Sequence, residues 1–347
     1  MTSSTTKPIF VLGAPRSGNT LIGCLLNKHP ACFILFERSI FSDTYRKWYR
    51  LTARGGVTGR DAFVSLMRDG MQWAEYNKRA GLDNAALRAC AEAGDGQFNR
   101  MFDAYMARVM AHEKPEATIW GDKNPANSGY LPSILAEYPD ARIINVYRDP
   151  RAVAASLTDA RFTPAGDDLL INAEVARHYS QIFDEGAALI DPAAVLSVRY
   201  EDLVKDPQTG LRAICEFLRL EHTDALLEPA PDRIRHSIGW PDYKGWGKVT
   251  PQPYKLPPTL APLVEAHLAG DLRRLGYAPN APKPTAMQQL RLTARLLPFV
   301  SYRALLERLW RRRYGDIARF VLHTYPSLGM YMSWLRTSII GPKRSGH

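Results

Sequence analysis

Short runs of apolar residues alternate along this chain with longer stretches whose apolar residues recur at helical spacing. The short runs predict buried strands at residues 8–12, 32–36, 118–121, 142–147 and 195–200. The longer stretches predict helices at 20–28, over most of 60–113, and at 128–138, 150–158, 168–188 and 208–219. Strands separated by helices form a parallel sheet that is covered on both faces. The pattern therefore predicts an α/β fold with three layers.

A second region begins after residues 279–284, which read Pro-Asn-Ala-Pro-Lys-Pro and are typical of a linker. Beyond this linker apolar residues again have helical spacing, and Pro298 and Pro326 limit the length of any single helix. We therefore expect a main domain over residues 1–282 and a mostly helical C-terminal extension over residues 283–347.

Charge separates the same two regions. The chain carries a net charge of +10 from 45 basic and 35 acidic residues. Residues 283–347 hold 12 of the Lys and Arg residues and two of the acids, which leaves 33 of each in the main domain. A basic block of this kind indicates an anionic partner such as a membrane surface, or else helices with Arg on their solvated face.

The cysteines and the first residues bear on the compartment. The four cysteines, Cys24, Cys32, Cys90 and Cys215, have no metal-binding spacing and are expected to be buried free thiols, as in a reducing compartment. Residues 1–7 are polar and lack a secretory pattern, and no run of about 18 apolar residues predicts a spanning helix. We expect a cytoplasmic protein, with membrane association through the extension as an open alternative.

The most informative local pattern joins the first predicted strand to the first predicted helix. It reads Gly13-Ala-Pro-Arg-Ser-Gly18-Asn19-Thr20. Glycines let the backbone turn tightly and bring its N–H groups close to a phosphate. The N-terminus of the following helix adds free donors and partial positive charge, and Arg16 adds a full positive charge. The segment therefore predicts a phosphate-binding loop.

This loop differs from that of nucleotide triphosphatases at Asn19, where those proteins carry a Lys that reaches the outer phosphates. We therefore do not expect this chain to hydrolyse ATP or GTP.

A second anion-binding pattern follows the strand predicted at 142–147. Arg148 comes at the end of that strand, and Ser156 lies eight residues later in the next predicted helix. Ligands of open α/β sheets bind at the carboxyl ends of strands, and an Arg fork with a hydroxyl suits a terminal phosphate. The neighbouring Asp149 is expected to pair with an Arg or to cap the helix. A third anchor is Lys123, which stands between a short strand and Pro125 and is thereby held in place.

Together these motifs resemble those of the sulfotransferases that use 3′-phosphoadenosine 5′-phosphosulfate (PAPS), and most closely the branch of tyrosine-protein and carbohydrate sulfotransferases. The resemblance implies that residues 1–282 are the catalytic domain and have a P-loop α/β fold. The family's 5′-phosphosulfate loop reads Pro-Arg-Ser-Gly-Thr-Thr, and this chain has the corresponding residues Pro15, Arg16, Ser17, Gly18, Asn19 and Thr20. Asn19 replaces a Thr, and its amide can still bond a phosphate oxygen. Arg148 and Ser156 match the family's 3′-phosphate motif.

The same resemblance implies roles for residues elsewhere in the chain. Tyr200, in the segment Tyr200-Glu-Asp-Leu, is a candidate for contact with the adenine. Ser237 and Lys248 fall where the family has a loop that closes over the nucleotide. Lys123 would contact the sulfonate and the phosphate oxygen that leaves.

Glu37, after the strand at 32–36, takes the position of the base that removes the acceptor proton in this branch. His29, before Pro30, is instead expected to be a helix-terminal or core residue. Glu37, Lys123 and Arg16 are thus the expected catalytic residues. No metal is expected, because fixed cations would take the role that magnesium has in phosphoryl transfer.

The resemblance therefore implies transfer of sulfonate from PAPS, with adenosine 3′,5′-bisphosphate (PAP) as product, to a hydroxyl or amine of a small-molecule, carbohydrate or lipid-like acceptor. The helical stretches 40–115 and 160–190 are expected to form the acceptor pocket. One alternative is a P-loop kinase acting on a small molecule, which would need ATP and magnesium. Another is a non-catalytic protein that binds an anionic surface through residues 283–347. No nucleic-acid partner is expected.

Overall fold

The computed structural model describes residues 7–53, 55–161, 165–229 and 253–297. The chain divides into two compact units. The first unit consists of the described residues of Met1–Arg148 and Ile182–Gln252, and the second of those of Asp149–Gln181 and Pro253–His347.

The first unit contains a parallel sheet to which, among the described residues, five strands contribute. The strands are β1 (Ile9–Leu12), β2 (Cys32–Phe36), β3 (Ile119–Lys123), β4 (Arg142–Tyr147) and β5 (Val195–Arg199), in the order β2-β3-β1-β4-β5. Each residue of β1 and β2 is buried, as expected for strands covered on both faces. The predicted α/β fold with a central parallel sheet and flanking helices is therefore confirmed.

The strand order places a switch point at β1. From β1 the chain passes to β2 and β3 on one side, and then crosses to β4 and β5 on the other. In open sheets of this kind, ligands bind beyond the carboxyl ends of the strands where the order reverses. The loop that follows β1, residues 13–18, lies at that position.

Helices occupy most of the remaining described chain. In chain order they are α1 (Asn19–Lys28), α2 (Arg46–Ala53), α3 (Gly59–Asp69), α4 (Met71–Arg79), α5 (Asn84–Ala93), α6 (Phe98–Glu113), α7 (Leu131–Glu137), α8 (Pro150–Ala160), α9 (Leu169–Ala187), α10 (Tyr200–Lys205), α11 (Pro207–Leu218), α12 (Ala261–His267) and α13 (Ala269–Arg274). Residues 286–297 are also helical. Short turns of other helix types are Ile40–Tyr45, Pro125–Tyr130, Pro192–Ala194 and Asp224–Leu226.

An aromatic core attaches the helical stretch 40–113 to the sheet. Phe10 of β1 packs edge-on against Phe41 and Trp120, and Phe102 of α6 packs against Trp120 at 5.1 Å between ring centroids. Such pairs add about 0.5–1.5 kcal/mol each beyond the area that they bury. This face of the sheet is therefore closed by rings, whereas α1 packs against β1, β2 and β3.

Several element boundaries differ from the sequence-based expectation, among them those of β3, α7 and β5. The strand predicted at 118–121 continues to Lys123, because Lys123 pairs in register with Val11 of β1 and Phe36 of β2. The helix predicted at 128–138 is a 3₁₀ turn followed by α7. The strand predicted at 195–200 ends at Arg199, because Tyr200 begins α10, whose first turn carries two acids that favour a helix N-terminus.

The C-terminal extension is described only as far as residue 297, so most of the basic block lies outside the described residues. The division proposed at residue 282 stays a prediction. Within the described ranges, no helix combines the length and the apolar composition that crossing a membrane requires.

Candidate functional site

The loop after β1 has a backbone that side chains would obstruct. Gly13 has φ +123°, and a Cβ there would lie 2.1 Å from the carbonyl oxygen of Val146. Gly18 has φ +104°, and a Cβ there would lie 2.4 Å from the ring of Tyr200. Arg16 also adopts a left-handed conformation, with φ +69°. The chain therefore needs glycine at both ends of this loop to turn from β1 into α1.

Some polar groups of the loop hold its shape, and others remain available to a ligand. The N–H of Ser17 donates to the carbonyl of Ala14 at 3.1 Å, and the side-chain amide of Asn19 donates to the same oxygen at 3.2 Å. The Ser17 hydroxyl is buried and has no hydrogen-bond partner within the described part of the chain. Because a buried hydroxyl without a partner is unfavourable, Ser17 is suited to bonding a ligand oxygen.

Arg148 and Tyr200 meet at the carboxyl ends of β4 and β5. Tyr147 and Arg199 are paired in register, so the residues that follow them are neighbours. The guanidinium of Arg148 lies 4.6 Å from the centroid of the Tyr200 ring and donates from Nη1 to the carbonyl of Arg16 at 3.3 Å. Arg148 is buried except for 8% of its surface. It is therefore a preorganised positive charge beside the loop.

Lys123 and Glu37 form an ion pair on the other side of β1. Lys123 Nζ donates to Glu37 Oε1 at 2.7 Å and lies 5.0 Å from the centroid of the Phe36 ring. The Lys123 side chain is 0% exposed and that of Glu37 is 38% exposed. One carboxylate is thus held by a buried ammonium and still reaches solvent, where an incoming group could meet it.

The arrangement fits a ligand with more than one anionic group. The residues that converge at the carboxyl edge of the sheet are Arg16, Ser17, Lys123, Arg148 and the N-terminus of α1, whose first turn holds no acidic residue. Helix N-terminal donors and fixed cations favour phosphate or sulfonate groups. Glu37 is a carboxylate paired with one of these cations, Lys123.

The remaining predicted residues are distributed as follows. Pro15 is buried and Thr20 is half-buried at the start of α1, while Arg16 is exposed. Ser156 is half-buried on α8, in the second unit. Ser237 and Lys248 lie outside the described residues.

Three further structural expectations are confirmed. Asp149 caps α8 by accepting from the N–H of Arg151 at 2.9 Å, and its carboxylate pairs with the guanidinium of the same Arg151. His29 is the C-cap residue of α1, and its Nε2 lies 2.9 Å from the carbonyl of Glu221. The four cysteines are free and buried.

Sequence reasoning missed Asp122 and Asn127. Both are fully buried, and the Asn127 amide donates to Asp122 Oδ2 at 2.8 Å. A charged residue beside a Lys at a strand end was the available signal. Alternating residues of a strand point to opposite faces, so Asp122 lies on the other face of β3 from Lys123.

Known proteins resemble this chain along the part that carries the site. A family model described as "Sulfotransferase family" matches residues 8–224. The omega-hydroxy-beta-dihydromenaquinone-9 sulfotransferase of Mycobacterium bovis is 28% identical over 178 residues, which is 48% of this chain and 43% of that protein. Protein-tyrosine sulfotransferase 2 of Gallus gallus is 27% identical over 303 residues, which is 80% of this chain and 71% of that protein. The chain thus matches less than half of the length of the mycobacterial relative.

Two solved structures are also similar to this chain. The sulfotransferase domain of the Synechococcus PCC 7002 olefin synthase has a TM-score of 0.47 and 19% identity, over 80% of this chain and 98% of that one. Sulfotransferase STF9 from Mycobacterium avium has a TM-score of 0.44 and 17% identity, over 81% of this chain and 79% of that one. The family match, by contrast, includes well over half of the 347 residues and contains the loop, Lys123, Arg148 and Tyr200. This chain belongs to the sulfotransferase family.

Proposed function

We propose that this sulfotransferase uses PAPS as its donor and transfers the sulfonate to a hydroxyl group, with PAP as product. One observation carries the proposal. A loop built for an oxyanion, a buried Arg148 and the Lys123–Glu37 pair all lie at the carboxyl edge of one sheet, on both sides of β1. The donor requires two separated anion sites, and the acceptor requires a base.

The donor's two phosphate-bearing ends correspond to two groups of residues. The 5′-phosphosulfate would be held by the loop and the start of α1, through Pro15, Arg16, Ser17, Gly18, Asn19 and Thr20. The 3′-phosphate would be held by Arg148 and by the Ser156 hydroxyl. Tyr200 would support the adenosine next to Arg148, and Ser237 and Lys248 would belong to a closing loop. The orphaned Ser17 hydroxyl and the close approach of the Tyr200 ring to Gly18, which leaves no room for a Cβ, support this assignment.

When bound, PAPS supplies a sulfonate on a good leaving group. Glu37 would take the proton of the acceptor hydroxyl as its oxygen bonds to sulfur. Lys123, Arg16 and the N–H groups of the loop would stabilise the negative charge that develops on the phosphate oxygen released from sulfur. The 2.7 Å contact between Lys123 and Glu37 means that the ammonium also keeps Glu37 oriented before the acceptor arrives.

The acceptor class follows from the base and the relatives. A carboxylate can take a proton from a hydroxyl in the transition state, whereas an amine that is protonated at neutral pH would have to lose one proton first. The two relatives are named for an omega-hydroxy dihydromenaquinone and for protein tyrosine. We therefore favour a hydroxyl on a small-molecule, carbohydrate or lipid-like acceptor, held by the helical stretches 40–115 and 160–190.

The kinase alternative has weaker support in the loop. Asn19 stands where a triphosphatase has its Lys, and the Asn19 amide donates to the carbonyl of Ala14. The loop therefore lacks the side chain that would reach a third phosphate.

Calorimetry on the full chain with PAP, and with ATP plus magnesium for comparison, tests the donor. We expect PAP to bind tightly and ATP weakly. Arg148→Ala should weaken PAP binding by about 10- to 100-fold, because a charge-assisted hydrogen bond contributes about 1.5–3 kcal/mol. Arg142→Ala is the matched control, since Arg142 lies at the opposite end of the same strand.

Each result has a clear meaning. Unchanged PAP affinity in Arg148→Ala would remove Arg148 from the 3′-phosphate site. Binding of ATP alone would favour the kinase.

We further propose that residues 283–347 form a basic extension of the catalytic domain 1–282 that contacts an anionic membrane surface from the cytoplasm. The helix at 286–297 exposes Met287, Leu290 and Leu297, and Arg291 and Arg295 are exposed on the same helix. Exposed apolar residues flanked by Arg are typical of an interfacial helix. The full chain should co-sediment with phosphatidylserine vesicles at low salt and not with phosphatidylcholine vesicles. Absence of binding to the anionic vesicles would contradict the proposal.

A further inference from the structure

The turn that carries Glu37 is strained. Glu37 has φ +56° and Ser39 has φ +52°, and neither is a glycine. A non-glycine residue in the left-handed region costs on the order of 1 kcal/mol or more and persists only where surrounding contacts impose it. Contacts with surrounding residues must therefore hold residues 37–39 in this conformation.

Hydrogen bonds from the segment after β3 hold this turn. The N–H of Glu37 donates to the carbonyl of Lys123 at 2.9 Å, and the Asn124 amide donates to the Ser39 hydroxyl at 3.0 Å. The N–H of Ser42 donates to Asn127 Oδ1 at 3.3 Å. These three hydrogen bonds thus connect residues 37–42 to residues 123–127.

Asp122 lies at the centre of these contacts, on the opposite face of β3 from Lys123. Its carboxylate accepts from Asn127, whose other amide atom holds Ser42. The backbone of Arg38, the residue after Glu37, lies close enough to this carboxylate to lower its pKa. A single buried carboxylate therefore lies beside the Glu37 turn and supports it through Asn127.

We propose that Asp122 is a positioning residue for the transfer reaction: through Asn127 it fixes the left-handed turn that holds Glu37 against Lys123. This inference rests on the proposed function, because it gives Glu37 the role of the base. Asp122 itself touches neither donor nor acceptor in this scheme. Its function is to fix in one geometry the base, which follows Phe36, and the cation, which pairs with Phe36.

The burial of Asp122 supports a role other than stability. Desolvation raises the pKa of Asp122 to about 7, against the lowering effects of Asn127, Lys123 and Arg38. Asp122 Oδ1 has no hydrogen-bond partner among the described residues. A carboxylate held under these conditions is unfavourable for folding, so its presence is better explained by what it positions.

Hydrogen exchange of the full-length Asp122→Asn protein tests this directly, without any acceptor. We expect the amides of residues 37–42 to exchange about 10-fold faster or more, because their protection depends on a local opening of this turn. Amides of β1 and of the loop 13–18 should exchange at the wild-type rate. PAP affinity by calorimetry should stay within about twofold. Hydrolysis of PAPS to PAP and sulfate, with water in place of the acceptor hydroxyl, should fall by about 10-fold or more, since misplacement of a base lowers the rate.

Two further variants separate positioning from folding. Asn127→Ala removes the second support of the same turn and should produce the same pattern, even if Asp122→Asn folds poorly. Asp103→Asn is the control, because Asp103 is another carboxylate that bonds to β3: it accepts from Trp120 Nε1 at 2.9 Å. In the described hydrogen bonds, Asp103 does not contact the Glu37 turn. Asp103→Asn should leave exchange at residues 37–42 unchanged.

The possible failures are distinguishable. Wild-type exchange at residues 37–42 in both Asp122→Asn and Asn127→Ala would overturn the positioning role. Faster exchange throughout the sheet, together with weaker PAP binding, would make Asp122 a structural residue only and would also overturn it. If the wild-type chain bound no PAP, the proposed function would fail, while the exchange result would still show whether Asp122 holds the turn.

Discussion

Each unit of this protein contains buried paired charge, and the two sets are built differently. In the second unit, Arg151 donates to Asp149 and Glu265 and to the carbonyl of Ala278, and Tyr254 donates to Asp149 at 2.8 Å. The side chains of Arg151, Asp149 and Glu265 are 4%, 9% and 8% exposed. In the first unit, Lys123 is equally buried but its partner Glu37 is half-exposed on a strained turn.

The difference indicates two different functions. A buried network in which each charge has several partners fixes one packing arrangement and leaves no group available to a ligand. A buried cation paired with a carboxylate that reaches solvent keeps one partner available for chemistry. Backbone strain at that carboxylate is typical of functional sites. We therefore interpret the Arg151 network as structural and the Lys123–Glu37 pair as part of the reaction site.

The largest effect is expected for Glu37→Gln, which should lower turnover by about 10²- to 10⁴-fold, the range for loss of a general base. The glutamine oxygen can still accept from Lys123, so the melting temperature and PAP affinity should change little. Turnover is measured as release of PAP from PAPS. Glu75→Gln, on an exposed pair with Arg79, is the control. Near-full turnover in Glu37→Gln would remove Glu37 from the mechanism.

The next effect concerns stability in the second unit. Arg151→Met should reduce the free energy of unfolding by about 3–5 kcal/mol, because it leaves two buried carboxylates without their cation. Urea unfolding measures the loss. Arg60→Met removes an exposed pair with Asp95 and should cost less than about 1 kcal/mol. Equal losses of unfolding free energy in both variants would show that the Arg151 network stabilises the fold no more than an exposed ion pair does.

A pH-dependent effect of at most similar size is expected at Asp122. Burial raises its pKa from 3.8 to about 7, so the folded state binds its proton more tightly than the unfolded state. The free energy of unfolding should therefore fall as the pH rises from about 4 to about 7, by up to about 1.4 kcal/mol per pH unit. Asp122→Asn should flatten this part of the profile of urea unfolding against pH. An unchanged slope would show that Asp122 is ionised throughout.

The smallest effect is expected at Tyr200. Tyr200→Leu removes the ring under Arg148 and should weaken PAP binding by about 2- to 10-fold, since a cation–π contact contributes about 0.5–1 kcal/mol or slightly more. Tyr200→Phe keeps the ring and should bind PAP as the wild type does. A large loss in Tyr200→Phe would instead point to the phenolic hydroxyl.

Local chemistry made much of the fold, the loop at 13–18 and the position of Arg148 predictable. Strands β1, β2 and β4 are apolar runs, and the loop at 13–18 needs glycines where the backbone turns. Arg148 was predicted because it follows directly after such a strand. These features depend on residues that are near one another in the chain.

Contacts between distant segments were not predictable in the same way. Lys123 and Glu37 are separated by 86 positions and meet because β2 and β3 pair with Phe36 opposite Lys123. Arg151 and Glu265 are separated by 114 positions, and no sequence pattern connects them. Whether a charge is buried with several partners or left half-exposed depends on which surfaces meet when the chain folds.

The sequence by itself therefore determined the parallel α/β fold, the glycine-bounded loop at 13–18 and the position of Arg148 after β4, because short-range backbone sterics and hydrophobic periodicity decide them. The tertiary structure alone decided that Glu37 lies against Lys123, that Asp122 supports the Glu37 turn, and that Arg151 joins a closed network. The physical reason is that the energy of a charge depends on its desolvation and on its partners, and both are set only when distant segments pack together.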